Sequence, residues 1–456
     1  MDWIPTISGR TGPLYLRIVG ALSDDIATGV LHQGQKLPTH RKLAEALGVD
    51  LTTVTRAYNQ ARHLGLTDAR VGRGTVVRGS SVPARQSVSP SIDLSMNIPP
   101  QPLGVDFGGR LAKVIGEFRT EATVDSYLSY HPAGGAAAER HQAAEWLRNF
   151  VPDCKGEQLI IAPGTQAALF ALLLILTPRG SAVFTEDLTY PGFKAAAAAL
   201  GLRLIGVEMD EHGMKPEALD AACREHRARV VYLMPTVHNP TTATMPLQRR
   251  QRIAKIIRKH DLTLIEDDPY GFLVPGVVPL TSLIPECSYL AASLSKCISP
   301  GLRTSLVVTP DRASAAALAE TLRATIQMSM PLVTAISVRW LRDGTADAII
   351  GAVSAEVTAR QALAREALAG YDFQGHPNGP HIWLSLPDGR SSNRFAGQLQ
   401  KHGLAVVTGD VFATSGTPPS AIRLALGAAR NRTQLQKAFD ILREALATKS
   451  DGAQIV

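Results

Sequence analysis

Apolar positions in the first eighty residues recur at helical spacing and then change period. Leu14, Ile18, Leu22 and Ile26 repeat every fourth residue between Pro13 and Gly29, which predicts an amphipathic helix of about four turns with the proline in its first turn. After His32-Gln33-Gly34-Gln35, the stretch Leu37-Pro38-Thr39 leads into a short helix carrying Leu43, Ala44 and Leu47, stopped by Gly48. Asp50 is placed to N-cap a third helix over 51–64, in which Val54, Tyr58 and Ala61 face inward while Thr52, Thr53, Thr55 and Arg56 face out. Two short helices around Gly48-Val49-Asp50 read as a helix-turn-helix. Residues 66–77 then read as a hairpin with a basic, glycine-rich tip, Arg70-Val71-Gly72-Arg73-Gly74.

Residues 79–91 break the pattern with five serines, two prolines and little apolar content, as an extended tether would. From Ile92 onward, short apolar runs alternate with helical stretches. Strands are expected over 158–162, 181–185, 203–207, 230–233, 263–265, 289–292 and 306–309, and helices over 167–176, 195–200 and 247–260. That alternation predicts an α/β domain with a largely parallel sheet. No period of 20 to 50 residues recurs, which argues against a repeat architecture.

A chain of 456 residues, 45% hydrophobic and 19% charged, has the length for more than one domain and the composition of a globular protein rather than a disordered one. The net charge of +7 is unevenly placed: residues 1–80 hold ten Lys and Arg against six Asp and Glu. The basic excess therefore sits on the helix-turn-helix segment, where a polyanion would bind. Cys154, Cys223, Cys287 and Cys297 are scattered without CxxC spacing, which suggests neither a zinc site nor a disulfide framework. No metal is expected. Met1-Asp2-Trp3-Ile4-Pro5 lacks the pattern of a signal peptide, and the longest apolar run, 167–176, is half a membrane span, so a cytoplasmic location is expected.

The candidate chemistry centres on Ser293-Leu294-Ser295-Lys296 and Arg303. A crowded lysine loses its proton readily and attacks aldehydes, while serine hydroxyls and an arginine fork suit phosphate oxygens. Upstream, Pro163-Gly164-Thr165-Gln166 joins a strand to an apolar helix, a turn that offers backbone N–H groups to an anion. Asn239 stands before Pro240 just past one strand, and Asp267 and Tyr270 stand at the end of another, where open α/β sheets bind ligands. His131, His238 and His381 have no ligand-spaced partners and read as structural.

These residues carry two resemblances. Leu37-Pro38-Thr39-His40-Arg41-Lys42-Leu43-Ala44, Leu47-Gly48-Val49, Thr53-Val54, Ala57-Tyr58 and Gly72-Arg73-Gly74-Thr75 resemble the winged helix-turn-helix of the GntR regulators. That resemblance implies that Thr39, Arg41, Arg73 and Thr75 grip DNA phosphates while Thr52, Thr53 and Arg56 approach base edges. Asp50-Leu51 stands where the family often has Ser-Arg. From about Ile92 to Leu446, the ordered motifs Gly164-Thr165, Tyr190, Asn239-Pro240, Asp267-x-x-Tyr270, Ser293-x-x-Lys296 with Arg303, and Arg423 resemble the fold-type-I pyridoxal-phosphate aminotransferases. This second resemblance implies a large domain with a mostly parallel sheet, a smaller α+β subdomain and pyridoxal 5'-phosphate as cofactor. It makes Lys296 the Schiff-base lysine and Asp267 the partner of the pyridine nitrogen. Asn239 and Tyr270 then bond the ring oxygen, and Tyr190 stacks on the ring. Gly164, Thr165, Gln166, Ser293, Ser295 and Arg303 take the phosphate, with Tyr130 reaching it from a second subunit. Arg423 takes the carboxylate of an amino compound. Two departures stand out: Thr304-Ser305-Leu306 after Arg303, and Thr242 where such enzymes often have glycine.

A GntR-like head joined to such a body is similar to the MocR subfamily of transcription regulators. The resemblance implies residues 1–78 as DNA-binding domain, 79–91 as linker, and 92–450 as effector and dimerisation domain. It further implies a homodimer on double-stranded operator DNA that senses an amino compound or the cofactor itself. A working aminotransferase with an accessory N-terminal domain is the alternative, and a large domain that serves only to dimerise is a third possibility.

Overall fold

The computed structural model describes all residues except 1–2, 8–12, 28–29, 33, 64–65, 71–73, 78–90, 121–123, 388–389 and 449–456. The chain divides into two compact units, Met1–Ser87 and Val88–Val456.

In the first unit, helices Leu14–Ala27, His40–Leu47 and Leu51–His63 close a small core around Ile18, Leu22, Leu43, Val54 and Tyr58. The buried Tyr58 hydroxyl donates to the Pro38 carbonyl at 2.9 Å, so its burial leaves no unmet O–H. The helix ends fall where polar and glycine residues stop them. Thr39 Oγ1 accepts the Lys42 N–H at 3.3 Å, and Gly48, at φ +64°, turns the chain out of the second helix. The Asp50 carboxylate accepts the Thr52 N–H at 2.7 Å and the Thr52 hydroxyl as well, an N-cap for the third helix. Thr67–Arg70 and Gly74–Val77 pair antiparallel as the expected hairpin. Its tip, with Arg73, lies outside the described residues, as does the expected linker apart from Ser91. The Ser91 hydroxyl donates to the Gly403 carbonyl at 3.1 Å, within the second unit.

The second unit is built on a seven-stranded sheet. In spatial order the strands are Leu159–Ala162, Ser305–Val308, Ser288–Ser293, Thr263–Asp268, Ala228–Leu233, Ala182–Glu186 and Arg203–Val207. Only Ser305–Val308 runs against its neighbours. Leu159–Ala162, Ala182–Glu186 and Ser288–Ser293 are buried along their whole length, which is why they are mainly apolar or small, with Thr185 and Glu186 as buried polar exceptions. Six strands share one direction, so their C-terminal ends meet along one edge, where the site forms. The helix expected over 195–200 starts earlier, at Pro191, because proline suits the first helical position and Tyr190 precedes it as N-cap.

A smaller lobe carries a four-stranded antiparallel sheet in the order Phe373–Gln374, His381–Ser385, Ala421–Ala425, Val407–Thr408. It shares a core with helices Thr345–Ala367 and Arg432–Ala447. Ile92–Asp93 joins this lobe by pairing with Leu404–Ala405. Among the described residues no helix is long and apolar enough to cross a membrane, and no group of three or more His, Cys, Asp or Glu could hold a metal.

Candidate functional site

The turns that follow the parallel strands converge on a cavity of about 490 Å³. Thr165, Gln166, Tyr190, Asn239, Asp267, Tyr270, Ser293, Ser295, Lys296, Arg303 and Arg423 all line it. Gly164 lies behind Arg303, and Tyr130 is on the surface, 82% exposed.

Asp267, next to last in the strand Thr263–Asp268, presents a buried carboxylate to the cavity. Tyr232, stacked on Phe193 with ring centroids 3.7 Å apart, donates its hydroxyl to Asp267 Oδ2 at 2.7 Å, while Oδ1 has no partner. Burial pushes the Asp267 carboxyl up to about 7, against the pull of the Tyr232 bond. A cationic N–H placed at Oδ1 would restore the ionised form.

Lys296 follows the strand Ser288–Ser293 and is itself largely buried. Burial first, then the positive field of Arg423, lowers its amine to about 8, with Asp267 opposing. Its Nζ donates to the main-chain carbonyl of Asn97. The rate at which this amine takes up an aldehyde is expected to rise about tenfold per pH unit below 8 and to level off above it. An unperturbed lysine would keep rising to about 10.4. Stopped-flow absorbance across pH 6 to 10 distinguishes the two, and continued acceleration beyond pH 9 would refute the lowered value.

Around Arg303 the cavity offers donors that suit an anion. Gly164, at φ +92°, turns the chain into helix Thr165–Leu176, whose N-terminal N–H groups face the site. A Cβ on Gly164 would lie 2.7 Å from Arg303 Nη2. Ser293 Oγ accepts the Ser295 N–H at 3.2 Å, and Gln166 Nε2 donates to the Gly192 carbonyl at 2.8 Å. Gly164→Ala combines a left-handed backbone with a displaced guanidinium, and should weaken phosphate-ester binding about tenfold or more. Fluorescence titration with pyridoxal 5'-phosphate measures this, and an unchanged affinity would remove Gly164 from the site.

Arg423 lines the cavity from the smaller lobe, on strand Ala421–Ala425. It donates through Nη1 to Asn239 Oδ1 at 2.8 Å and through Nη2 to the Ser95 carbonyl. Its Nε is buried without a partner. A guanidinium only donates, so Asn239 must turn its oxygen to Arg423 and leave Nδ2 as the donor edge. Thr242, beyond Asn239, is at φ +64°, the region where glycine would be unstrained.

Sequence reasoning missed Ser95, Asn97 and Tyr232. The first two lie far from the motifs along the chain, and Tyr232 sits inside a strand that reads as ordinary core. His381, expected to be structural, is buried against Asn97, with His381 Nδ1 and Asn97 Nδ2 3.1 Å apart.

On the first unit, Thr39, Arg41, Thr52 and Arg56 are exposed, and Thr53 and Thr75 are half-buried. Thr53 therefore faces outward less fully than expected. The Thr39 and Thr52 hydroxyls already serve caps. The Arg56 guanidinium lies over the Tyr15 ring, 4.3 Å from its centroid.

Residues 90–442 match the family Aminotransferase class I and II, and residues 14–77 match Bacterial regulatory proteins, gntR family. The chain belongs to the class I and II aminotransferase family and carries a gntR-type helix-turn-helix head, the fusion found in MocR-type regulators. It is 28% identical over 453 residues to YdeF of Bacillus subtilis, an uncharacterized HTH-type transcriptional regulator, spanning 98% of this chain and 97% of that one. It is likewise 28% identical over 438 residues to PtsJ of Salmonella typhimurium, a vitamin B6 salvage pathway transcriptional repressor, spanning 92% and 95%. Its fold superposes on kynurenine aminotransferase of Pyrococcus horikoshii with a TM-score of 0.73 at 23% identity, covering 81% of this chain and 95% of that one.

Pyridoxal 5'-phosphate is the cofactor this family implies, and the cavity fits it. The partnerless Asp267 Oδ1 suits a pyridine N–H, the low-pKa Lys296 amine suits an aldehyde, and the glycine-turned helix end beside Arg303 suits a phosphate.

Proposed function

We propose that the protein is a pyridoxal-phosphate-dependent, DNA-binding transcription regulator in which Lys296 holds the cofactor and Arg423 receives the carboxylate of an amino-acid effector. The observation that carries this reading is one chain with both a cavity whose lining suits the cofactor and a helix-turn-helix whose third helix exposes Thr52 and Arg56. When bound, the cofactor supplies an electrophilic aldehyde and an electron-poor ring. The chain's own groups do the rest. Asp267 would hold a proton on the ring nitrogen, Asn239 Nδ2 and Tyr270 would donate to the ring oxygen, and Tyr190 would cover a ring face. Gly164, Thr165, Gln166, Ser293, Ser295 and Arg303 anchor the phosphate.

In this reading residues 1–78 read DNA, 79–91 tether, and 92–450 hold the cofactor and pair two subunits in the cytoplasm. Tyr130, exposed beside the exposed Leu128, is the residue that would reach a neighbouring subunit's phosphate. Arg423 spans the two lobes, on a strand of the smaller while bonded to Asn239 of the larger. An effector carboxylate must compete for its donors, and that exchange moves the lobes relative to each other. Coupling of about 1 to 3 kcal/mol would change operator affinity five- to 150-fold. The name of PtsJ supports a variant in which the cofactor itself is the effector.

The test is to titrate amino acids, amines and pyridoxal 5'-phosphate into the protein, following visible absorption and affinity for the DNA upstream of its own gene together. Absorption and DNA affinity should change at the same concentration for one ligand. If they never move together, the sensing reading is wrong, and transaminase turnover untouched by deleting residues 1–80 would mark an enzyme instead. Arg56→Ala should weaken specific DNA binding by about 1 to 3 kcal/mol without altering the cofactor's absorption. Unchanged specific binding in a gel-shift titration would remove Arg56 from the base-reading set.

A further inference from the structure

We propose that Asn97 is a positioning residue of the cofactor site, acting through Tyr270: its amide NH2 holds the Tyr270 hydroxyl so that the phenolic proton is offered to the cofactor's ring oxygen. This rests on the reading that pyridoxal 5'-phosphate occupies the cavity.

Asn97 comes from none of the strand-end turns that supply the other cavity residues. It follows Ile92–Asp93, the short strand pinned to the smaller lobe, and is 6% exposed. Its Nδ2 lies 2.7 Å from Tyr270 Oη and 3.1 Å from His381 Nδ1. Which end of the amide faces these two groups is decided by His381. The His381 Nε2 stands 3.2 Å from the His238 carbonyl, which can only accept, so Nε2 carries the ring proton. Burial, with the charge of Arg423 nearby, lowers the His381 pKa to about 3, so the ring is neutral and Nδ1 is an acceptor. An amide oxygen turned toward that lone pair would be repelled, so the NH2 must face it.

The same NH2 then donates to Tyr270 Oη. A phenol that accepts at its oxygen keeps its own proton for another acceptor, and Tyr270 lines the cavity. Burial raises the Tyr270 pKa, so the phenol stays protonated. Asn97 Oδ1 has no partner, which makes the NH2 the working end of this side chain. His381 orients the amide, the amide orients the phenol, and the phenol is left as a donor toward the ring.

The experiment is a double-mutant cycle on the full-length protein with pyridoxal 5'-phosphate as probe, reading dissociation constant and absorption maximum of the bound cofactor. Asn97→Ala and Tyr270→Phe should each weaken binding about three- to tenfold and shift the maximum. Asn97→Ala made in the Tyr270→Phe background should change neither further. Asn97→Asp has the same shape but no NH2, turns the phenolic proton toward itself, and should shift the spectrum at least as far as alanine does. It also serves if the alanine variant fails to fold. Equal effects of Asn97→Ala in both backgrounds, or no spectral shift from either Asn97 variant, would overturn the proposal while leaving the cofactor reading intact. A wild-type protein that takes up no pyridoxal 5'-phosphate would overturn both.

Discussion

Lys296→Ala protein should fold, lose the visible absorption of the cofactor-loaded form, and bind pyridoxal 5'-phosphate at least about a hundredfold more weakly, because attachment at Nζ is what makes uptake effectively intramolecular. The fold should survive because the side chain lines the cavity, with its amine bonded to the Asn97 carbonyl. Removing a largely buried amine whose protonated form is disfavoured also removes a desolvation cost. Asp267 loses a nearby positive charge in the same step, so its carboxyl should titrate still higher than about 7. In the regulator reading, DNA affinity of this variant becomes independent of every amino compound that shifts it in the wild type. Absorption spectroscopy and gel-shift titrations check both halves. A variant that still responds to effector on DNA would show that sensing does not pass through Lys296.

The second large effect is expected at Arg423. Arg423→Ala removes the cation that the smaller lobe places on the cavity and should weaken a carboxylate-bearing effector by about 3 to 5 kcal/mol, roughly 150- to 5,000-fold. It should also lower stability by about 1 to 3 kcal/mol for the buried Asn239 Oδ1 left without a donor, and less for the half-buried Ser95 carbonyl, which water can reach. Arg423→Lys should recover little, since an ammonium cannot reproduce the guanidinium fork that meets a carboxylate with two parallel bonds. Calorimetric titration of the effector and a thermal melt separate the binding loss from the stability loss. Equal effector affinity in wild type and Arg423→Ala would place the carboxylate elsewhere.

The Lys296 and Arg423 expectations differ in how far the sequence alone supported them. Lys296 sits among serines with Arg303 close behind, a local pattern that chemistry can interpret. Arg423 is one arginine in an apolar strand, and its role became readable only through the ordered motifs before it. The strand-end turns were legible for a physical reason. Parallel strands buried on both faces are largely apolar, so polar residues at or beyond their C-terminal ends stand out, as Asp267 does in Thr263–Asp268 and Asn239 beyond Ala228–Leu233. In the first unit, spacing every fourth residue and the caps at Thr39, Gly48 and Asp50 marked the three helices within a residue or two. The short strands of the smaller lobe, two residues long at Phe373–Gln374 and Val407–Thr408, are too brief for any period to show.

By itself the sequence determined the three helices of the first unit and most strands of the large sheet, that a basic helix-turn-helix precedes an α/β body, and which lysine, aspartate and glycine turn are the candidates for its chemistry. Those features depend on local spacing and on residue type. Only the tertiary structure decided how the groups are held: that Tyr232 supports Asp267 from within the core, that Arg423 crosses from the smaller lobe to orient Asn239, and that Asn97 reaches Lys296, Tyr270 and His381 at once. The partners in these contacts are separated by 35 to 284 residues. No local pattern encodes contacts of that length, since they arise from the sheet's strand order and the docking of the smaller lobe.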